Sequence, residues 1–171
     1  MTGSTNVPAP YSIWPGSDER RFAIVLELPD KLFEALPQTV AWEDQTYYKK
    51  DEFHVTLVHT NRDIKDALET LFGRFIVERP VRLLSFKDEL RVARKGENRS
   101  TAVRCEVSNL VPLFESISSQ TGVDVPLQPT HVTLYSLERN VGIAIDSEAE
   151  MAGLPVARLH ELSAVIQKIR T

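Results

Sequence analysis

FHVTLVHT (53–60) and THVTLYSL (130–137) carry one tetrapeptide twice, as His54-Val55-Thr56-Leu57 and again as His131-Val132-Thr133-Leu134. The chain has four histidines, and two of them head this string. In a strand, residues i and i+2 point to the same face. His54 and Thr56 are therefore expected on one face, and His131 and Thr133 on one face of theirs. Val55, Leu57, Val132 and Leu134 turn the other way, into a core. Two strands, each offering an imidazole and a hydroxyl, can supply an acid, a base and two hydrogen-bond donors to one phosphate.

The same order of elements surrounds both copies. In the first half, RFAIVLELP (21–29) reads as a strand and DKLFEAL (30–36) as a short helix that begins at an Asp cap and ends before Pro37. The first motif strand follows, and then an amphipathic helix over 64–75 behind a Thr60-x-x-Asp63 capping box. In the second half, TAVRCEVS (101–108) is a strand and 110–120 a helix with Asn109 as cap, Pro112 in its first turn and Gly122 beyond its end. The second motif strand follows, and then a short helix over 147–153 opened by Ser147-x-x-Glu150. The expected fold is α+β and bilobal. Two pseudo-symmetric strand-helix-strand-helix units, over about 20–80 and 100–171, line a central groove with mostly antiparallel sheets. A strand-rich basic hairpin turning near Gly96-Glu97-Asn98 joins the lobes, and 157–169 reads as a strand closing a sheet, although an amphipathic helix fits the same letters. Residues 1–19, rich in Pro, Gly and Ser, read as a flexible extension.

Composition narrows the function. The apolar and charged fractions, 42% and 26%, are those of an ordinary globular domain, and 171 residues suffice for one core. No apolar run approaches a membrane span, and MTGSTNVPAPYSIWPGSDE has neither the basic start nor the apolar centre of a signal peptide. The single cysteine, Cys105, excludes an internal disulfide and fits a reducing, cytoplasmic setting. It alternates in phase with Val103 and Val107, as a buried inert thiol would. A net charge of −4 argues against a long non-specific nucleic-acid footprint. Residues 82–104 nevertheless hold seven basic side chains (Arg82, Lys87, Arg91, Arg94, Lys95, Arg99 and Arg104) against three acidic ones. That segment reads either as a solvated hairpin or as a positive flap beside a small anionic substrate.

A phosphodiester held between two imidazoles needs a base on the incoming oxygen and an acid on the departing one. Histidine serves either role near neutrality. Charge building on the non-bridging oxygens needs preorganised donors, which a Thr hydroxyl two residues from each His provides. No metal or cofactor is required by this logic.

Two H-x-T-hydrophobic motifs about eighty residues apart, in a chain of this length, resemble those of the two-histidine (2H) phosphoesterase superfamily. That superfamily includes cyclic nucleotide phosphodiesterases and the bacterial and archaeal 2′-5′ RNA ligase-like proteins. The resemblance covers about residues 20–170 and rests on the two tetrapeptides and the repeat. It implies metal-independent chemistry on 2′,3′-cyclic or 2′,5′-linked phosphates of a nucleotide or an RNA terminus. His54 and His131 match its catalytic histidines, and Thr56 and Thr133 its phosphate-binding threonines.

The remaining candidates are weaker. Tyr135 should share the face of His131 and Thr133, where it would stack on a base or bond a phosphate oxygen, or else serve as a sheet aromatic. Arg91 and Arg104, on the polar phase of their strands, face either the groove or solvent. His59, five residues after His54, should point to the opposite face of an unbroken strand and be structural. His160 lies outside both motifs. These four histidines lack the spacing of a zinc clamp. Gly142-Ile143-Ala144-Ile145 is a candidate groove-lining loop, and Trp14 and Trp42 have no assignable role. Two other functions fit the letters: a nucleotide- or phosphate-binding module without turnover, and an RNA 2′-5′ ligase running the reverse reaction. Retention of both His and both Thr disfavours the first, and mass action in water the second.

Overall fold

The structure is a computed structural model that describes residues 7–139, 141–157 and 166. It is an α+β fold of two antiparallel sheets. Strands β1 (Tyr11–Pro15), β2 (Arg21–Leu28) and β5 (Phe53–Asn61) form a three-stranded sheet in the order β1-β2-β5. The second sheet contains β3 (Thr39–Trp42), β4 (Gln45–Lys49), β6 (Leu83–Lys95), β7 (Asn98–Val107), β8 (His131–Ser136) and β9 (Val156–Ala157). Its order is β3-β4-β8-β7-β6-β9. Three helices, α1 (Lys65–Glu78), α2 (Leu110–Thr121) and α3 (Glu148–Gly153), complete the described elements. No described helix is long and apolar enough to cross a membrane.

The two motif strands are paired alike. Val25, Leu26 and Glu27 of β2 stand opposite Thr56, Val55 and His54. Ala102, Val103 and Arg104 of β7 stand opposite Thr133, Val132 and His131. Both ladders then skip one residue, and in both it is the Leu of the motif. Ile24 pairs with Val58, leaving Leu57 unmatched, and Thr101 pairs with Tyr135, leaving Leu134 unmatched. Each strand thus carries a β-bulge that buries two consecutive side chains, Leu57 with Val58 and Leu134 with Tyr135. Beyond the bulge the alternation inverts.

One core lies beneath these strands. Phe22, Ile24 and Leu26 from β2, Val55 and Leu57 from β5, and Val132 and Leu134 from β8 meet Leu68 and Phe72 of α1 and Leu113 and Ile117 of α2. Each such side chain contributes roughly 1.5–3 kcal/mol by leaving water. The motif strands therefore rest on the main hydrophobic core of the described residues.

The structure departs from the sequence reading in several places. Residues 11–15, read as part of a flexible extension, form β1, because Tyr11 is a core residue. Its hydroxyl donates to the Val81 carbonyl at 2.8 Å, and its ring packs edge-on against Phe72 at 5.1 Å. Pro10 and Pro15 sit at the strand's margins, where a missing N–H is tolerated. Residues 39–49, given no element, form the β3-β4 hairpin, which joins β8 rather than its sequence neighbour β5. The first half of the chain thereby completes the sheet of the second. The Asp30 helix is a short 3-10 turn, Asp30–Phe33. The Thr60-x-x-Asp63 box does not form, since a 3-10 turn at Arg62–Ile64 precedes α1 and no side chain caps it. Asn109 adopts a left-handed conformation, φ 58°, and its amide donates to the Pro80 carbonyl instead of capping α2. The Ser147 cap forms, with its hydroxyl accepting from the Glu150 N–H at 3.0 Å. The proposed closing segment lies, beyond 157 and apart from 166, outside the described residues, as does His160.

Candidate functional site

His54, Thr56, His131 and Thr133 line one cleft of about 240 Å³. β5 supplies the first pair and β8 the second, each from the stretch before its bulge, where the period of two still holds. Among the described residues neither threonine hydroxyl has a hydrogen-bond partner. The loop Gly142-Ile143-Ala144-Ile145 forms part of the wall. A larger apolar groove of about 690 Å³, between Pro8–Tyr11 and the end of α1, brings together no comparable acid-base pair.

The two imidazoles are held differently. His131 Nδ1 lies 2.8 Å from the Pro129 carbonyl oxygen. A carbonyl only accepts, so Nδ1 carries the proton and Nε2 is the nitrogen left for chemistry. Burial lowers the His131 pKa, while the Pro129 carbonyl and Glu150 pull it up. His54 has no such partner, and its Nδ1 is buried with no hydrogen bond. Its ring packs against Trp14, centroid to centroid at 4.3 Å, and the indole N–H donates to Ser12 Oγ at 2.8 Å. Burial, then the charge of Lys50, then His131 push its pKa down to about 4. The neutral imidazole is therefore the resting form of His54 at neutral pH.

His59 is where the strand argument failed. The bulge at Leu57 returns it to the cleft side, where it lines the wall and accepts a hydrogen bond at Nε2 from the Ser17 N–H at 3.1 Å. Tyr135 fails for the same reason, in reverse. The bulge at Leu134 sends its side chain into the core, where its hydroxyl donates to the Pro37 carbonyl at 2.8 Å and it is fully buried. Tyr135 does not line the cleft.

The basic hairpin is turned to other partners. Arg91 donates to the carbonyls of Ala152 and Leu154, at 3.2 and 2.9 Å. Arg104 pairs with Glu148, Arg94 and Arg99 with Glu43, and Lys87 with Glu106. Neither Arg91 nor Arg104 reaches the cleft lining. The cation that does is Lys50, which the sequence reading missed, as it missed Trp14. Neither carries a local signal, since each is brought to the cleft by a strand pairing unassigned in the sequence.

Cys105 is buried, and burial pushes its thiol up to about 12, which suits an inert core residue. Among the described residues no group of three or more His, Cys, Asp or Glu is arranged to hold a metal ion. The arrangement offers two imidazoles in different surroundings, both with lowered pKa, two unengaged hydroxyls and one ammonium around a space large enough for a phosphate group. Comparison with protein-family models, with curated proteins and with solved structures finds no match to this chain.

Proposed function

We propose that this chain is a metal-independent phosphodiesterase of the two-histidine type, acting on 2′,3′-cyclic or 2′,5′-linked phosphates of a nucleotide or an RNA end. The observation that carries the proposal is the convergence of both His-x-Thr pairs on one cleft, from strands far apart in the chain. A structural role would not require the two imidazoles and two hydroxyls to share a surface.

We assign the roles from the surroundings of each ring. A base must be neutral when the water arrives, and burial beside Lys50 keeps His54 neutral. An acid must hold a proton; burial lowers the His131 pKa on balance, but the Pro129 carbonyl and Glu150 pull the other way, a support that His54 lacks. His54 takes a proton from the attacking water as its oxygen bonds to phosphorus. The ester P–O bond breaks on the opposite side, and His131 gives its proton to the departing oxygen. Exchange with solvent returns both rings to their starting states. Thr56 and Thr133 donate to the non-bridging oxygens, where charge grows in the transition state. Restricted χ1 in these β-branched side chains holds the hydroxyls in place.

The finer architecture belongs to the same proposal. β2 with β5 and β7 with β8 are read as two copies of one unit around a pseudo-two-fold axis. Identical pairing offsets and a bulge at the same letter support it.

The test is a panel of 2′,3′-cyclic nucleotides and 2′,5′-linked dinucleotides offered in the presence of EDTA. Turnover is expected, and it is expected to fall by about 10²–10⁴-fold in His131→Ala. Tight binding of a cyclic nucleotide without turnover by folded protein would make the cleft a binding module instead.

A further inference from the structure

Lys49 and Lys50 are consecutive, and the fold treats them differently. Lys49 has a structural assignment, because its Nζ donates to the carbonyls of Phe33 and Leu36 at 2.7 and 3.4 Å. Lys50 has none. It follows β4, and its N–H donates to the Leu134 carbonyl at 2.9 Å. Leu134 is the residue that the β8 bulge leaves unmatched to β7, so the bulge fixes where Lys50 stands. The side chain is half-buried and lines the cleft with the four motif residues. Among the described residues no carboxylate lies within ion-pair distance of its ammonium. Asp51 and Glu52, its chain neighbours, are exposed.

A partly buried ammonium without a counter-ion is costly, and a fold keeps one where an anion arrives. Around Lys50 the cleft presents His54 from β5, His131 from β8 and the neutral indole of Trp14 from β1, with His59 and Asp146 also on its wall. The ammonium therefore shares the cleft with imidazoles and hydroxyls; Glu52 and Asp51 act on it at longer range and form no ion pair with it.

We propose that Lys50 is a phosphate-binding residue, its Nζ donating to a non-bridging oxygen of the phosphate held between His54 and His131. This rests on the reading of the cleft as a phosphate site. During the proposed reaction His54 gains a proton and His131 loses one, so the charge on each ring changes. Lys50 supplies a positive charge that stays put throughout, directed at oxygens that become more negative as phosphorus gains a fifth ligand. The same charge adds to the burial that keeps His54 neutral, so one side chain both anchors the anion and helps prepare the base.

The experiment titrates inorganic phosphate at neutral pH into the protein and follows the imidazole resonances of His54 and His131 by NMR. Lys50→Met keeps the aliphatic stem and removes the charge. It should weaken phosphate binding by about 10- to 100-fold, the range for losing a hydrogen bond to a charged group. The His54 pKa should rise in the same variant, which loss of packing alone would not produce. Lys50→Arg should restore binding to within severalfold, and Lys50→Gln covers the case in which an apolar head disturbs the turn after β4. Unchanged phosphate affinity in folded K50M or K50Q overturns the proposal, as does wild-type protein whose imidazoles do not respond to phosphate. The two readings fail separately. Lys50-dependent phosphate binding with no turnover of any diester sinks the phosphodiesterase and leaves the anchor standing. Turnover with wild-type phosphate affinity in K50M does the reverse.

Discussion

Acidification should unfold this protein partly through His54. Burial, Lys50 and His131 hold that imidazole near 4, against an ordinary value of 6.5. Above pH 6.5 the ring is neutral in both the native and the unfolded chain, so no stability is lost there. Below it the unfolded chain takes up a proton that the native state refuses, and the equilibrium moves toward unfolding until the native ring also titrates near pH 4. The gap is about two and a half units, and at about 1.4 kcal/mol per unit the loss across this window is about 3 kcal/mol. His131 and His59 are also lowered, so each adds a loss of the same sign. The assay is urea unfolding of wild type and His54→Gln at pH 7, 6, 5 and 4. Carboxylate titration is common to both proteins and cancels in the difference. The stability of wild type relative to His54→Gln should fall by about 3 kcal/mol between pH 7 and pH 4. Parallel curves, with a difference constant to about 0.5 kcal/mol, would refute the account of His54 as a buried ring forced neutral.

Replacing either His54 or His131 by Ala should lower kcat by about 10²–10⁴-fold, and the double variant by much less than the product, since the pair works as a unit; additive losses in single-turnover kinetics would contradict this. Thr56→Val and Thr133→Val keep the branched shape and should each cost about 10- to 10³-fold in kcat with unchanged melting, so wild-type rates would remove the hydroxyls from the reacting phosphate. Tyr135→Phe should cost about 1 kcal/mol in urea unfolding, by stranding the Pro37 carbonyl, and leave turnover untouched; a loss of turnover at full stability would return Tyr135 to the site. Gly16→Ala should destabilise by about 1–3 kcal/mol, because a Cβ there would stand 2.6 Å from Arg21 backbone and prise open the β1-β2 turn; an unchanged melting curve would show that turn to be slack.

The motif was legible because residue type and strand period agree over four letters, and four letters end where the bulge begins. His54, Thr56, His131 and Thr133 therefore fell where the sequence put them. His59 and Tyr135 lie past the bulges, and the inference assumed an unbroken ladder. A bulge belongs to the pairing of two strands, so neither strand's letters announce it. The long elements were readable for the same kind of reason. Helices α1 and α2 and strands β2, β5, β7 and β8 each repeat a period over enough residues to be recognised. β1 was hidden by its flanking prolines and β3-β4 by the shortness of its strands, although β1 supplies Trp14 and β4 leads directly into Lys50. The basic hairpin shows the opposite error. Its charge count is correct, but Glu43 and Glu148 from distant elements take up Arg94, Arg99 and Arg104, and Glu106 of the paired strand β7 takes up Lys87.

The packing of Trp14 on His54 gives the cleft an optical signal of its own. A protonated imidazole at 4.3 Å quenches an excited indole by accepting an electron from it, whereas a neutral imidazole does so poorly. The other tryptophan, Trp42, packs near Tyr47, with ring centroids 6.5 Å apart, and supplies a background emission. Intrinsic fluorescence thus becomes a direct trace of the charge on one ring. A bound anion raises the pH at which this ring charges and Trp14 dims, so binding can be followed as a shift of that transition, without a label, a chromogenic substrate or any turnover.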